Sequence, residues 1–335
     1  AEGLLYLVYT DSLYSLTAND EVNLPNQDYF DVLYEYNGPS TGDFDDKITV
    51  SKDTMHQITF EGDEELDSIT TDTLTLIQHL ATDIKHDIEI TIHYKDIVKN
   101  GDPLMDTINI PASDVPYDEE STKDYYDYTI RTYDTSASND KYFRMDYEIT
   151  IDGSNNDNGL DKGDSISIQT MIKNVDMKRI FGYIGNETLM SQQANIPIQL
   201  FENTEEGNIE FAEDGPEFKF FIENSYGIPV RIKISDAKAY TEGTTDSTNI
   251  KFKNSADSFK TDINYPRLNE DEIGESKKDT IYLANEIQNL NDVLNGNHTN
   301  IKFYSSGISN PDEDKTIENF VTDKSQFKVN SELYL

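Results

Sequence analysis

The sequence has no cysteine and no tryptophan. Without cysteine there is no disulfide framework, no thiol nucleophile and no thiolate metal site, so a chain working outside the cell must rely on core size, metal ions or both. Basic residues are scarce: 27 Lys+Arg stand against 65 Asp+Glu, a formal net charge of −38 and a pI near 4.2. That balance cannot neutralise phosphates, which excludes a nucleic-acid partner, and it repels an anionic membrane surface. Long apolar runs are missing as well; none approaches the ~18 residues of a membrane-spanning helix. There is no Gly-x-Ser-x-Gly elbow, P-loop or dinucleotide fingerprint, and no His-x-His or His-Glu-x-x-His pairing. No reaction is named by these residues, and the chain is read as a non-enzyme.

What is present is apolar material in strict alternation. With 21 Tyr and 15 Phe the chain is too aromatic for a disordered acidic tail. Ile84, His86, Ile88, Ile90, Ile92 and Tyr94 share one face of an extended run, with Asp87, Glu89, Thr91 and His93 opposite. Phe143, Met145, Tyr147, Ile149 and Ile151 repeat the pattern, as do Ile166/Ile168, Ile196/Ile198/Leu200, Phe218/Phe220/Ile222, Val230/Ile232/Ile234, Ile250/Phe252 and Ile301/Phe303. Period two with one polar face predicts antiparallel sheets covering a core on one side. The expected fold is all-β: tandem antiparallel β-sandwich domains with one short amphipathic helix at about 280–295. That helix is read from a Thr280 cap, the spacing of Leu283, Ile287, Leu290 and Leu294, and Gly296 as a stop.

Two composition shifts suggest boundaries. The acidic, Pro-containing stretch 111–124 reads as a linker, and Tyr265–Lys278 as a second shift. They predict an N-terminal sandwich over 1–115, a central sandwich over 124–265, and a helix-plus-strands segment over 266–335 that is part of, or leads into, a further β domain. Ala1 opens almost directly onto the apolar run Leu4–Tyr9, so the chain is read as a processed product whose targeting segment lies outside it.

Hard cations such as Ca²⁺ take six to eight oxygens from acidic loops. The strongest such loop holds Asp157, Asn158, Asp161 and Asp164. Placing Gly159 at the EF-hand glycine puts Ser154 and Ser165 at the terminal ligand positions, so the loop is no EF-hand. It reads either as a solvated hairpin or as an irregular Ca²⁺ site, the one cofactor the sequence suggests. Of the five histidines, His86 on its apolar face reads as a hydrogen-bonded core residue rather than a zinc ligand. Carboxylate pairs suited to glycoside hydrolysis are inevitable among 65 acids and therefore uninformative.

A triplet of Asp, then Ser or Thr, then a small aliphatic, Met or Thr recurs eight times, where composition alone gives roughly two or three. It places candidate O-glycosylation at Ser12, Thr54, Ser68, Thr73, Thr107, Ser165, Ser247 and Thr280, and it resembles the sequon that Bacteroidota use on exported proteins. The competing reading is that Asp-Thr-Ile is simply how an acidic strand begins.

Longer blocks extend that resemblance. Phe181-Gly182-Tyr183-Ile184-Gly185, Ile196 to Asn203, Ile222 to Val230, Ser309-Asn310-Pro311 to Asn319-Phe320-Val321, and the final Val329 to Leu335 resemble a group of uncharacterised Bacteroidota cell-surface lipoproteins. So does the opening Gly3 to Tyr9. The resemblance implies export, β architecture, a lipid anchor on a Cys upstream of Ala1, and no assigned activity. The Asn224–Pro229 turn is also similar to that of late-embryogenesis-abundant β-sandwiches, a likeness of fold alone.

These readings converge on a non-catalytic surface-exposed or extracellular protein, structural or binding. It would be a subunit of an outer-membrane or extracellular assembly, or an adhesin, with protein partners, no nucleic acid, and membrane contact only through the anchor. The charge suits a salty exterior, where counter-ions screen self-repulsion, and exposed edge strands would offer docking by strand addition. The alternative is a carbohydrate-binding or carbohydrate-processing surface protein, which demands a concave Tyr-lined pocket with converging carboxylates.

Overall fold

A computed structural model describes residues 8–18, 25–42, 46–60, 62–134, 141–155, 158–197, 217–255, 257–295 and 298–334. In chain order the strands are β1 (Val8–Thr17), β2 (Gln27–Glu35), β3 (Lys47–Gln57), β4 (Glu65–Thr82), β5 (Asp87–Lys99), β6 (Asp102–Ile110), β7 (Tyr117–Tyr126), β8 (Thr129–Arg131), β9 (Tyr133–Asp134), β10 (Lys141–Asp152) and β11 (Ser165–Tyr183). There follow β12 (Thr188–Pro197), β13 (Glu217–Asn224), β14 (Val230–Tyr240), β15 (Ser247–Asn249), β16 (Ser258–Ile263), β17 (Lys277–Tyr282), helix α1 (Leu290–Asn295), β18 (Asn300–Ser309), β19 (Asn319–Thr322) and β20 (Gln326–Tyr334). Every one of these strand pairings among the described residues is antiparallel, in keeping with one-faced alternation. The chain is all-β, and no helix of the described residues is long and apolar enough to cross a membrane.

The chain forms two compact units: an inserted unit, Val22–Tyr183, and a split unit made of Ala1–Glu21 with Ile184–Leu335. In the inserted unit, β2-β11-β4-β7 make one layer and β6-β5-β10-β3 the other. The short β8 joins them at a corner, because Ile130 stands opposite Ile69 of β4 on one side and Ile97 of β5 on the other. The alternating faces meet as expected: Phe143, Met145, Tyr147, Ile149 and Ile151 of β10 and Ile88, Ile90, Ile92 and Tyr94 of β5 are buried against Leu74, Leu76 and Leu80 of β4. The phenol of Tyr94 crosses this interior and accepts from Gln78 Nε2 at 2.9 Å. Phe30 of β2 packs edge-on against Phe143 with ring centroids 4.9 Å apart.

The split unit is also a two-layer sandwich. One sheet runs β1-β20-β13-β17; the other runs β12-β18-β14, with β15 and β16 both on the far side of β14. Phe303 of β18 fills the space between layers, its ring 6.2 Å from Phe218 and 5.7 Å from Phe220 of β13. Between the sheets the Asn224–Pro229 segment turns the chain from β13 into β14. Gly227 is required there, since a Cβ would fall 2.1 Å from the Phe320 ring.

Three expectations change. The segment read as a helix at about 280–295 is β17, a single 3₁₀ turn at Leu283–Glu286, and a six-residue α1. Thr280 caps nothing; it pairs with Phe221 of β13, and Ile281 with Phe220, so cross-strand pairing overrides a helix-like spacing that Leu283 and Ile287 satisfy by being buried from a turn and a bridge. The stretch 111–124, read as a linker, contains the start of β7, which pairs with β4 from Thr82↔Tyr117 to Thr73↔Tyr126. Its acidity is what an edge strand uses to discourage further pairing. The expected division near 265 falls between β16 and β17 of one unit, and the first strand belongs with the last, Val8 pairing with Tyr334.

Candidate functional site

At one end of the inserted unit the register of four strands gathers polar groups on an outward face. Asp152 of β10 stands opposite Lys47 of β3 and Asp87 of β5, and Thr150 stands opposite Thr49 and Glu89. Glu89 in turn faces Asn109 of β6. Lys47, Asp87, Glu89, Asn109, Thr150 and Asp152, together with Pro111, line a half-open groove of about 380 Å³.

Its electrostatics are set by one ion pair. Lys47 Nζ lies 2.7 Å from Asp152 Oδ2, while Asp152 Oδ1 accepts from the Ser154 backbone N–H at 3.1 Å and from its hydroxyl at 2.6 Å. The Lys47 and Ser154 hydrogen bonds hold the Asp152 carboxyl at about 2. The Lys47 ammonium is raised by the same contact, with Glu89 adding to it. Asp87 Oδ1 is oriented by the Ala112 backbone N–H at 2.6 Å, and Thr150 Oγ1 sits 3.0 Å from Thr49 Oγ1. Three carboxylates and one lysine leave the groove with a formal charge of −2 by these four groups. Behind it, His86 is buried, and burial lowers its pKa against the opposing pull of the Gly159 backbone and of Asp164, Asp87 and Asp152.

The loop read as a Ca²⁺ candidate lies at the same end. Asp157 is outside the described residues. Asn158 Nδ2 donates to Asp114 Oδ1 at 3.4 Å, and Asp164 Oδ2 accepts from the Asp161 backbone N–H at 2.8 Å, so these side chains fold the loop. Among the described residues no group of three or more His, Asp or Glu side chains is placed to hold a metal ion. The loop is not a hairpin: it carries the chain from β10 in one layer to β11 in the other.

All eight glycosylation candidates fall in strands. Ser12, Thr107, Ser247 and Thr280 are exposed, whereas Thr54, Ser68, Thr73 and Ser165 are half-buried. Thr54 is the most committed, its Oγ1 2.8 Å from His56 Nε2 and 3.1 Å from the Met145 carbonyl. His56 is itself wedged between Phe30 and Phe143, and burial lowers it to about 4. His79, by contrast, faces outward and is raised by its 2.6 Å contact with Asp118.

The alternation had marked Asp87 and Glu89 only as a polar face, and Lys47 and Asn109 carried no signal. Their convergence depends on the pairing register of four strands, which no local pattern encodes. No described tyrosine lines the groove.

No family model and no curated protein matches the chain. Among solved structures it is similar to a presumed secreted protein from Parabacteroides distasonis, a member of the Bacteroidota, at 10% identity and a TM-score of 0.27, covering 98% of this chain and 99% of that one. A tandem of carbohydrate-binding modules from Paenibacillus barcinonensis aligns at 9% identity and a TM-score of 0.17, over 97% of this chain and 96% of the other. A triple jelly-roll protein of an archaeal virus turret aligns at 10% identity and a TM-score of 0.18, over 98% and 89%. At scores this low the chains do not share one superposable core, and the likenesses assign no activity.

Proposed function

We propose that the chain is a non-catalytic, surface-displayed binding protein of the adhesin or assembly-subunit kind, and that the groove of the inserted unit seats a positively charged side chain of a protein partner. The observation that carries this reading is the convergence of Asp87, Glu89 and Asp152 around a single lysine. A ligand ammonium or guanidinium finds two carboxylates in excess there, with Asn109 and Thr150 as further acceptors. The overall charge of −38 steers a basic partner toward the chain and raises its association rate at low salt. The carbohydrate reading is supported by the same carboxylates and amide, which suit sugar hydroxyls, but the groove offers no aromatic face for a sugar ring.

The test is a titration of isotope-labelled protein, followed by amide resonances, with an arginine-containing peptide and separately with a neutral soluble oligosaccharide. The peptide is expected to shift the amides of Glu89, Asn109 and Thr150, and the shifts should shrink in Glu89→Gln and with rising salt. Shifts at these amides with the oligosaccharide alone would establish the sugar reading instead. A groove silent to both removes it as a binding site.

A further inference from the structure

The strand β1 occupies an unusual place in its unit. It precedes the inserted unit in the chain, and every other strand of the split unit follows it. In its sheet, β1 stands at the end of the order β1-β20-β13-β17 and hydrogen-bonds to β20 alone among the described strands. The pairing runs from Val8↔Tyr334 to Thr17↔Gln326, with a bulge between Ser12 and Tyr14. Removing β1 therefore breaks one ladder and leaves the pairings of β13, β17 and β20 intact.

Leu16 is buried, with Ala18 just beyond the strand, and Tyr14 is half-buried at 6.4 Å from the Phe327 ring. Neighbouring β20 buries Phe327, Val329, Ser331 and Leu333, and β13 buries Phe218, Phe220, Ile222 and Asn224. Two side chains fasten β1 to the opposite sheet: Tyr14 Oη donates to the Leu189 carbonyl at 2.7 Å, and Gln192 Nε2 donates to the Leu13 carbonyl. Both carbonyls sit at bulges, one in β1 and one between Thr188 and Met190 of β12. The fit is specific, because both fastenings reach carbonyls at bulges.

Apart from its bulge and Asp11, β1 carries none of the Lys, Arg or Pro residues that protect an edge. Val8–Thr17 holds one acid and no Lys, Arg or Pro, whereas the opposite edge of the same sheet, β17, begins with Lys277 and Lys278 and is six residues long. Unprotected edges of high β propensity are the ones that pair between molecules.

We infer that β1 exchanges between copies of this chain: the slot beside β20 accepts the β1 of a second molecule in the same register, and the displaced β1 fills the slot of another. The occupant is a second copy because its β1 satisfies every feature of this slot, from the β20 ladder to the Leu13 and Leu189 carbonyls. Exchange of identical contacts costs no intrinsic bonding energy, so concentration and electrostatic repulsion decide its extent. The charge of −38 per chain opposes the encounter at low salt, and screening relieves it. This self-association goes beyond the groove, and either can fail without the other.

Residues 1–335 contain no cysteine, which makes a direct test available in this chain. Thr10 and Glu332 are cross-strand partners away from the bulge. The double variant Thr10→Cys/Glu332→Cys, oxidised at low concentration, is expected to close within one molecule and fixes the register. The single variants Thr10→Cys and Glu332→Cys are then mixed at high concentration in high salt, reduced, equilibrated and oxidised. A covalent dimer joining one of each is expected, several-fold more abundant than that from Thr10→Cys mixed with Thr280→Cys, whose cysteine lies on the exposed surface of β17 at the far side of the same sheet. Its yield is expected to rise with protein concentration and with salt. Equal dimer yields in both mixtures, a yield indifferent to concentration, monomers throughout, or failure of the double variant to close would each overturn the inference.

Discussion

The two units bury their sheets with different interiors. The inserted unit carries a hydrogen bond between its layers, Gln78 of β4 donating to the buried Tyr94 hydroxyl of β5. The split unit fills its centre with phenylalanine, Phe303 against Phe218 and Phe220. Apolar packing depends on filled volume, so loss of bulk leaves a cavity. Hydrogen bonds across a core depend on geometry, and removing one partner strands the other. The same architecture is thus stabilised in two ways, each with its own weakness.

The largest expected effect comes from cutting into the aromatic interior. Phe303→Ala should cost the split unit about 3–5 kcal/mol through lost burial and the cavity left behind. Amide hydrogen exchange, which reads opening region by region, should show protection falling in β13, β18 and β20 with little change in β5 or β10. Uniform loss across both units would mean that they do not unfold independently. In the inserted unit, Tyr94→Phe keeps the volume and deletes the hydroxyl that receives Gln78, at an expected cost of about 1–2 kcal/mol. A loss as large as that of Phe303→Ala would erase the distinction between the two interiors.

The smallest effect separates the units by pH. His56 and His86, both held below the ordinary histidine range by burial, lie in the inserted unit. Between the unfolded value of 6.5 and the folded value of about 4 for His56, the unfolded chain takes up a proton that the folded one refuses. Stability therefore falls as pH drops through that window and levels off below it. Exposed His79, raised by Asp118, acts in the opposite sense and is screened by solvent. Acidifying from pH 7 to 5 should lower the melting transition of the inserted unit by a few degrees more than that of the split unit. His56→Gln should flatten the difference, and an unchanged slope in that variant would exclude His56 as its source.

Legibility followed the contiguity of each unit. The faces of β5 and β10 could be read residue by residue, because period two is a local property and the alternating Ile88–Tyr94 and Phe143–Ile151 positions are all buried. The inward placement of His86 came from the same alternation. The acidic stretch at 118–124 misled because edge protection and a linker look alike in composition: both are charged and exposed. Leu283 and Ile287 misled because a turn followed by a bridge buries the same spacing that a helix would. The groove was not legible: Lys47, Asp87, Glu89 and Asp152 come from three strands, and only their register makes them neighbours.

By itself the sequence determined the all-β class, the inward and outward faces of the long strands and the strongly negative surface, since each follows from local alternation or from a count of charges. Only the tertiary structure decided that the chain's first strand completes the unit built from its second half, that an acidic stretch is an edge of a sheet, and that four polar side chains meet in a groove. Those outcomes rest on pairings between residues far apart in the chain, and strand register is settled by the packing of whole layers rather than by any one segment.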